Sequence, residues 1–328
     1  MTYTLQLLHA SDLEGGVDAI ENAPNFAAVI EALENLYANT LIISAGDNYL
    51  SGPFFNASSD GSMRDELQAA YQELFGEAGL TNIREGLGFT DIAIMNIIGF
   101  DASAIGNHEF DLGSDTFEVI IEEDVRGATY GDIRHLGAQF PYLSANLDFS
   151  SDPDLANLYQ ALADGILENT EFDLTPDEAI AGVDPKKIAP ATIINEGGEM
   201  IGVVGATTQL LETISSPSGT TGTAGTTNDM AALAAVIQPV VDELLSLGVN
   251  KIILTSHLQQ FALEVELSSL LSGVDIIIAG GSDTIVADDT DRLRTGDTAD
   301  VSGYPYLGTN ADGDPIAIVS TDGAYSYV

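Results

Sequence analysis

The sequence predicts a layered α/β fold. Apolar, β-rich runs recur along the chain, helical patterns lie between them, and ligand-type polar residues follow the runs. Alternation of this kind buries each strand under a helix rather than separating all-α and all-β parts. With 328 residues, 45% of them apolar, the chain can build one large layered domain with insertions.

In order, the first run is Thr4-Leu5-Gln6-Leu7-Leu8, followed by a polar loop and a helix-like stretch over residues 25–37. Thr40-Leu41-Ile42-Ile43-Ser44 comes next and ends in Gly46-Asp47. Further runs occupy 92–98, 102–105, 193–194, 201–204, 251–255 and 274–279, with a helical pattern over 230–247 before the run at 251. The run at 92–98 fits either a buried strand or a helix, because periodicity does not separate the two in a short apolar stretch. Residues 54–88, with a helix predicted over 64–75, interrupt the rhythm as an insertion over one end of the sheet. The Ser-, Thr- and Gly-rich stretch 215–227 predicts a mobile surface loop, and the acidic stretch 148–185 predicts mostly helical or irregular structure. The end of the chain, 316–319 through 325–328, is expected to be a hairpin cut short in its second strand, as in a fragment of something longer.

Charge excludes whole classes of partner. Fifty-one acidic residues against nine Lys and Arg give −42, so a nucleic-acid surface or an anionic membrane would be repelled. Such acidity suits a salty or extracellular medium, where counterions screen self-repulsion. The absence of cysteine removes thiol nucleophiles, disulfides and thiolate metal sites, and no stretch has the apolar length of a membrane span. The chain enters a strand at Tyr3 with no charged leader, so an export signal is expected to have been removed or to lie elsewhere. These features suit an extracellular or periplasmic protein that has no nucleic-acid partner and inserts in no membrane.

The chemistry-bearing residues fall where strands end, which is where open α/β sheets collect ligands. They are Ser11-Asp12-Leu13-Glu14, Gly46-Asp47-Asn48, Gly106-Asn107-His108-Glu109-Phe110-Asp111, Ser256-His257-Leu258 and Gly280-Gly281-Ser282-Asp283-Thr284. Singly, each fits a helix cap, a turn or a satisfied core histidine. Five in sequence supply carboxylate oxygens, an amide oxygen and imidazole, the donors that hold divalent cations.

These loops resemble those of calcineurin-like metallophosphoesterases, especially the 5′-nucleotidase branch, over nearly the whole chain. Gly106-Asn107-His108-Glu109-Phe110-Asp111-Leu112-Gly113 and Ala45-Gly46-Asp47-Asn48 carry the resemblance most specifically. It implies a four-layer αββα sandwich, two mixed sheets flanked by helices, formed by residues 1–328 as a single catalytic domain, with a C-terminal substrate domain absent or truncated. It also implies two metal ions, with Asp47 bridging them, Asp12 on the first, and Asn107 and His257 on the second. His108 would lie beside the substrate phosphate, oriented by Asp111.

Two departures stand out. The family's Asp-x-His is here Asp12-Leu13-Glu14, and its Gly-His-x-His is Gly280-Gly281-Ser282-Asp283. Two metal-binding histidines are thus replaced by carboxylates and one by glycine. The first pocket becomes Asp12, Glu14, Asp47 and Asp283, an oxygen-only set suited to Ca, Mg, Mn or Fe rather than zinc. The second keeps Asp47, Asn107 and His257, suited to Mn, Zn, Fe or Ca, and lacks a donor at Gly281. The implied activity is hydrolysis of phosphomonoesters by a metal-activated water, as in an alkaline phosphatase or 5′-nucleotidase, with catalytic roles for His108, Asp111 and Asn107. The alternatives are a phosphodiesterase and a non-catalytic Ca-binding module of a large secreted acidic protein. Arg64 and Arg84 are weighed as phosphate contacts, and Tyr49, Phe54 and Phe55 as walls for a leaving group or as core.

Overall fold

The computed structural model describes residues 3–14, 19–168, 176–182, 186–291, 293 and 296–320. Its two principal sheets use β1 (Gln6–Ala10), β2 (Thr40–Ser44), β3 (Ala102–Ala104), β4 (Tyr142–Leu143), β5 (Leu167–Glu168), β6 (Ile188–Ala189), β7 (Ala191–Glu196), β8 (Glu199–Thr207), β9 (Ile252–His257), β10 (Ile276–Gly280), β11 (Tyr306–Thr309) and β12 (Pro315–Ser320). The first sheet has the order β1-β2-β3-β4-β6 and the second β11-β12-β10-β9-β8-β7-β5.

Side chains alternate across each strand, and that alternation builds the layers. Leu41 and Ile43 of β2 point toward the second sheet and pack with Ile253 of β9 and Ile278 of β10. Ile42, between them, joins the opposite cluster under helices α1 (Ala19–Glu34), α2 (Phe89–Ile98) and α3 (Ser114–Ile121), with Ile30, Ile92 and Phe117. On the far side, Ile252, Leu254 and Ile277 pack under α4 (Met230–Ser246) and α5 (Phe261–Ser268). Helix α4 follows from spacing: Met230, Leu233, Ala234, Ile237, Val240, Val241 and Leu244 are buried on one face. Its first turn is capped by the Asp229 carboxylate, which accepts from Ala232 N–H at 3.0 Å. The result is the αββα order that the resemblance implied. Fully burying one Leu or Ile contributes ~1.5–3 kcal/mol, so the inter-sheet layer is a main source of cohesion.

Register brings the carboxyl ends of the strands level. Thr207 of β8 pairs with His257 of β9, and His257 with Gly280 of β10; Ala10 pairs with Ser44 in the other sheet. At this end polar bonds join the sheets. Thr255 Oγ1 donates to Ser44 O at 2.9 Å and Thr207 Oγ1 to Ile105 O at 2.7 Å.

One open alternative is decided, and several expectations are corrected in detail. Residues 92–98 belong to a helix, because Ile92, Ala93, Met95 and Asn96 are all buried between the sheet and a smaller outlying core. The first sheet is wholly parallel in its described pairs, while the second is mixed, with antiparallel hairpins β7–β8 and β11–β12. Strand β12 therefore finds its hairpin partner upstream, in β11; residues 321–328, the expected second strand, lie outside the described residues, as do Gly15 and Gly16. The stretch 215–227 is pinned rather than free: Gly219 N–H and Thr220 Oγ1 both donate to Asp152 Oδ2, at 3.2 and 3.0 Å. The predicted helix at 64–75 forms over Met63–Phe75 and ends at Gly76, whose left-handed φ of 66° closes its last turn. Its Leu67 and Tyr71 build the outlying core with Leu80, Ile83, Phe89 and Ile133.

Candidate metal centre and active site

The five loops meet at the carboxyl ends of the strands. Close backbone approach makes this possible. A side chain on Gly46 (φ 97°) would come within 2.7 Å of Gly106 N, and one on Gly280 within 2.6 Å of Ser11 Oγ. Asp12 N–H donates to Gly46 O at 3.0 Å and Glu14 N–H to Asp47 O at 3.3 Å. Asp12, Glu14, Asp47 and Asp283 all adopt left-handed backbone, with φ between 49° and 53°. Among the described residues only Ser218 and Gln259 are other non-glycine examples. Such conformations cost of order 1–3 kcal/mol and gather where function over-determines the chain.

Asp47 is the centre. It is 1% exposed. Its Oδ1 accepts His108 N–H at 2.8 Å, and its Oδ2 lies 2.9 Å from His257 Nε2 and 3.9 Å from His108 Nε2. Two groups of donors share it: Asp12, Asp47 and His257, and Glu14, Asp47 and His108, each with ligand atoms within 4.8 Å of one another. Asp12 Oδ2 also accepts Gly281 N–H at 3.1 Å and the Ser11 hydroxyl. Asp283 is exposed and lies outside both groups, yet its charge is felt by Glu14. Asn107 is buried, and its Oδ1 accepts from Gln259 Nε2 at 2.5 Å.

His257 supplies the test of whether a cation fits. Its Nδ1 is 2.8 Å from Ala45 O, a pure acceptor, so Nδ1 carries the proton. The neutral ring then points the lone pair of Nε2 at the Asp47 carboxylate, two acceptors facing each other. Nε2 is buried, and as an unprotonated atom it has no donor to meet, only the Asp47 carboxylate oxygen at 2.9 Å. Only a positive charge reconciles the pair, either a second proton or a metal ion. Burial disfavours the imidazolium, but the charge of Asp47, with that of Asp12, outweighs it and pushes the pKa up to about 10. The same field works on Asp47, where burial is outweighed by His257 and His108 and the pKa is lowered. Three carboxylates, an amide and an imidazole form a donor set that divalent cations fit.

His108 sits on the open side, with 28% of its side chain exposed. Its Nδ1 is 2.7 Å from Asp111 Oδ2, and its Nε2 is 4.0 Å from Glu14 Oε1. Burial lowers its pKa, but Asp111, Asp47 and Glu14 together raise it above the ordinary value. Glu14 is raised chiefly by burial, against the pull of His108.

Two residues had no assigned role in the sequence reading. Glu109 is fully buried, and its carboxyl accepts backbone N–H from Asp47, Asn48 and Gly106 at 3.2, 2.9 and 2.8 Å, tying two loops together. Burial and then the Asp47 charge push its pKa up to about 7. Gln259 is the other; its only signal was a polar pair, Gln259-Gln260, directly after the His257 loop. Conversely, Arg64 is held by Glu85 in a two-bond ion pair. Tyr49 and Phe55 are core, stacked at 5.4 Å. Phe54 lines an apolar groove with Ala23, Ala27 and Ile94.

Fold and site together define a four-layer α/β sandwich with a carboxylate-rich pocket at its strand ends whose side chains could hold a cation. No family model matches the chain. It is 26% identical to the 5′-nucleotidase of Diplobatis ommata over 99% of its own length and 44% of the relative's, so it spans under half of that protein. Among solved structures, a 5′-nucleotidase precursor from Thermus thermophilus superposes with a TM-score of 0.63 at 23% identity, covering 98% of this chain and 49% of the other. The calcineurin-like phosphoesterase YfkN from Bacillus subtilis gives 0.54 at 17% identity, covering 97% and 82%. The chain thus resembles 5′-nucleotidases in sequence over nearly its whole length and shares its fold with a calcineurin-like phosphoesterase.

Proposed function

We propose that the protein is a metal-dependent phosphoric ester hydrolase acting on small phosphomonoesters, nucleotides among them, through a two-cation site centred on Asp47. The observation that carries this reading is the shared Asp47 carboxylate, facing a buried His257 lone pair on one side and the open His108–Asp111 pair on the other. When bound, two cations would lower the pKa of a water toward neutrality and neutralise charge on the phosphate oxygens. Asp12, Glu14 and Asp47 would hold one, with Asp283 at its rim, and Asp47, Asn107 and His257 the other. Their oxygen-rich donors favour Ca²⁺, Mg²⁺ or Mn²⁺ over Zn²⁺ at the first position.

The chain's own part is positioning and proton transfer. Asp111 fixes His108 with Nδ1–H donating, so Nε2 faces the pocket. A protonated Nε2 can meet a phosphate oxygen or protonate the departing alkoxide. Glu109 keeps the Asp47 and Asn107 loops in register. At −42 the protein repels anionic substrates at long range, and polyanionic nucleic acid most of all. The same acidity and the absence of cysteine suit an extracellular setting, and no described helix is long and apolar enough to cross a membrane.

The test is hydrolysis of p-nitrophenyl phosphate and AMP by protein reconstituted with Ca²⁺, Mn²⁺ or Mg²⁺. His108→Ala should lower kcat by about 10²–10⁴-fold while leaving ion binding intact. Undiminished turnover in that variant would remove His108 from the mechanism. No turnover with any of the three ions would favour a non-catalytic cation-binding module.

A further inference from the structure

We propose that Gln259 is a ligand side chain of the second cation pocket, standing in for the side chain that Gly281 lacks. Gln259 has this role only if the two-cation reading above holds.

The corner of the pocket opened by Gly281 is occupied. A Cβ built on Gly281 would lie 2.6 Å from His257 Nε2 and 2.9 Å from Gln259 Nε2. The end of the Gln259 amide therefore sits where a residue-281 side chain would enter, beside His257, and it reaches Asn107 Oδ1 at 2.5 Å. Gly281 and Gln259 are coupled: any side chain at 281 collides with the amide, and its φ of 77° adds strain for anything but glycine.

Two observations distinguish a ligand from a plug. His257 Nε2 is fully buried and faces Asp47 Oδ2 at 2.9 Å, two acceptors that need a proton or a cation between them, and Gln259 makes no hydrogen bond to it. A cation held there takes the place of the second proton between His257 and Asp47. Second, Gln259 has φ of 72°, in the same left-handed region as Asp12, Glu14, Asp47 and Asp283. A long γ-unbranched side chain gains nothing locally from that conformation, unlike Asp or Asn. A half-turn about its last bond exchanges Nε2 for Oε1 at nearly the same place. With nitrogen toward Asn107 the pair makes a hydrogen bond. With oxygen there, two amide oxygens and an imidazole lone pair converge, a donor set that a cation joins. One carboxylate, one imidazole and two amide oxygens then suit Ca²⁺ or Mn²⁺.

The experiment measures ion binding, not turnover. Mn²⁺ is titrated calorimetrically into the metal-stripped full chain, with elemental analysis after desalting and thermal melts in EDTA to confirm folding. Wild-type protein should bind two ions. Gln259→Ala, or Gln259→Gly where alanine strains the loop, should weaken the second ion by at least about 10-fold and leave the first unchanged. Gln259→Glu, which keeps an oxygen donor, should retain both. Equal or tighter second-ion binding in Gln259→Ala would show a plug and overturn the assignment. Loss in Gln259→Glu as well would show that the N–H to Asn107 matters and not an oxygen, and would overturn it too. A wild-type chain that binds no ion would overturn the two-cation reading along with it.

Discussion

Two histidines in this protein are equally buried and carry opposite charge tendencies. His135, in the outlying core, is 2% exposed, stacks on Phe89 with ring centroids 3.6 Å apart, and has Nε2 2.8 Å from Ile120 O. His257, at the strand ends, is fully buried and makes a matching bond from Nδ1 to Ala45 O at 2.8 Å. Desolvation pushes His135 down to about 4, with the Lys187 charge adding to it. Desolvation acts on His257 as well, yet the carboxylates of Asp47 and Asp12 carry it to about 10. Burial alone thus makes a neutral packing element. Burial with an opposed carboxylate makes a place that demands positive charge.

The strongest way to break this contrast is Asp47→Asn. The amide keeps the size and removes the charge, so His257 should come to resemble His135 and neither pocket should retain its shared donor. Ion binding measured by calorimetry should be lost at both positions. Turnover should fall by ~10³-fold or more, since the several kcal/mol contributed by cations would go with it. Tight binding of two ions by Asp47→Asn would contradict a shared role.

How much of this was legible beforehand follows from what each residue's neighbours are. The layers were readable because strand runs such as Thr40–Ser44 alternate two cores within five residues. Helix Phe89–Ile98 was ambiguous because two cores bury it from several sides, which erases its period. The 215–227 stretch looked mobile from composition, since nothing local announces that Asp152, more than sixty residues upstream, holds it. At the site, Asp47 and His257 were visible as strand-end residues that could bind a metal. Gln259 was not, because its relevance lies in the space beside Gly281, which only coordinates reveal. Asp283 was expected in the first pocket and stands exposed at its edge.

A smaller effect should appear on the other side of the contrast. His135 has a folded-state pKa depressed to about 4 from 6.5. The unfolded chain therefore takes up a proton that the folded chain refuses as pH falls between those values. Its contribution is present above about 6.5 and is lost toward pH 4, worth about 3 kcal/mol at ~1.4 kcal/mol per pKa unit. His135→Phe gives up the bond to Ile120 O and should be less stable at pH 7, but its stability should fall less steeply from pH 6.5 to about 4. Urea unfolding at several pH values measures the slope. An identical acid limb in both proteins would mean that His135 is not the neutral member of the pair.

His108 lies between the two extremes, partly open and flanked by carboxylates, and it offers the finest test. Asp111 is the largest of the influences that raise its pKa against desolvation. Asp111→Asn keeps a side chain able to bond Nδ1 and removes the charge, so the pKa should fall. If protonated His108 serves the departing group, kcat/KM declines as pH rises through that pKa, and Asp111→Asn should move the declining limb to lower pH. On the acidic side of that limb the loss should be modest, within about tenfold, and it should widen as pH rises. Bound cations lower the absolute position of the limb in both proteins, so the displacement between the two profiles is the quantity to read. A uniform loss at every pH would make Asp111 a purely steric support, and a shift to higher pH would reverse the sign of its influence.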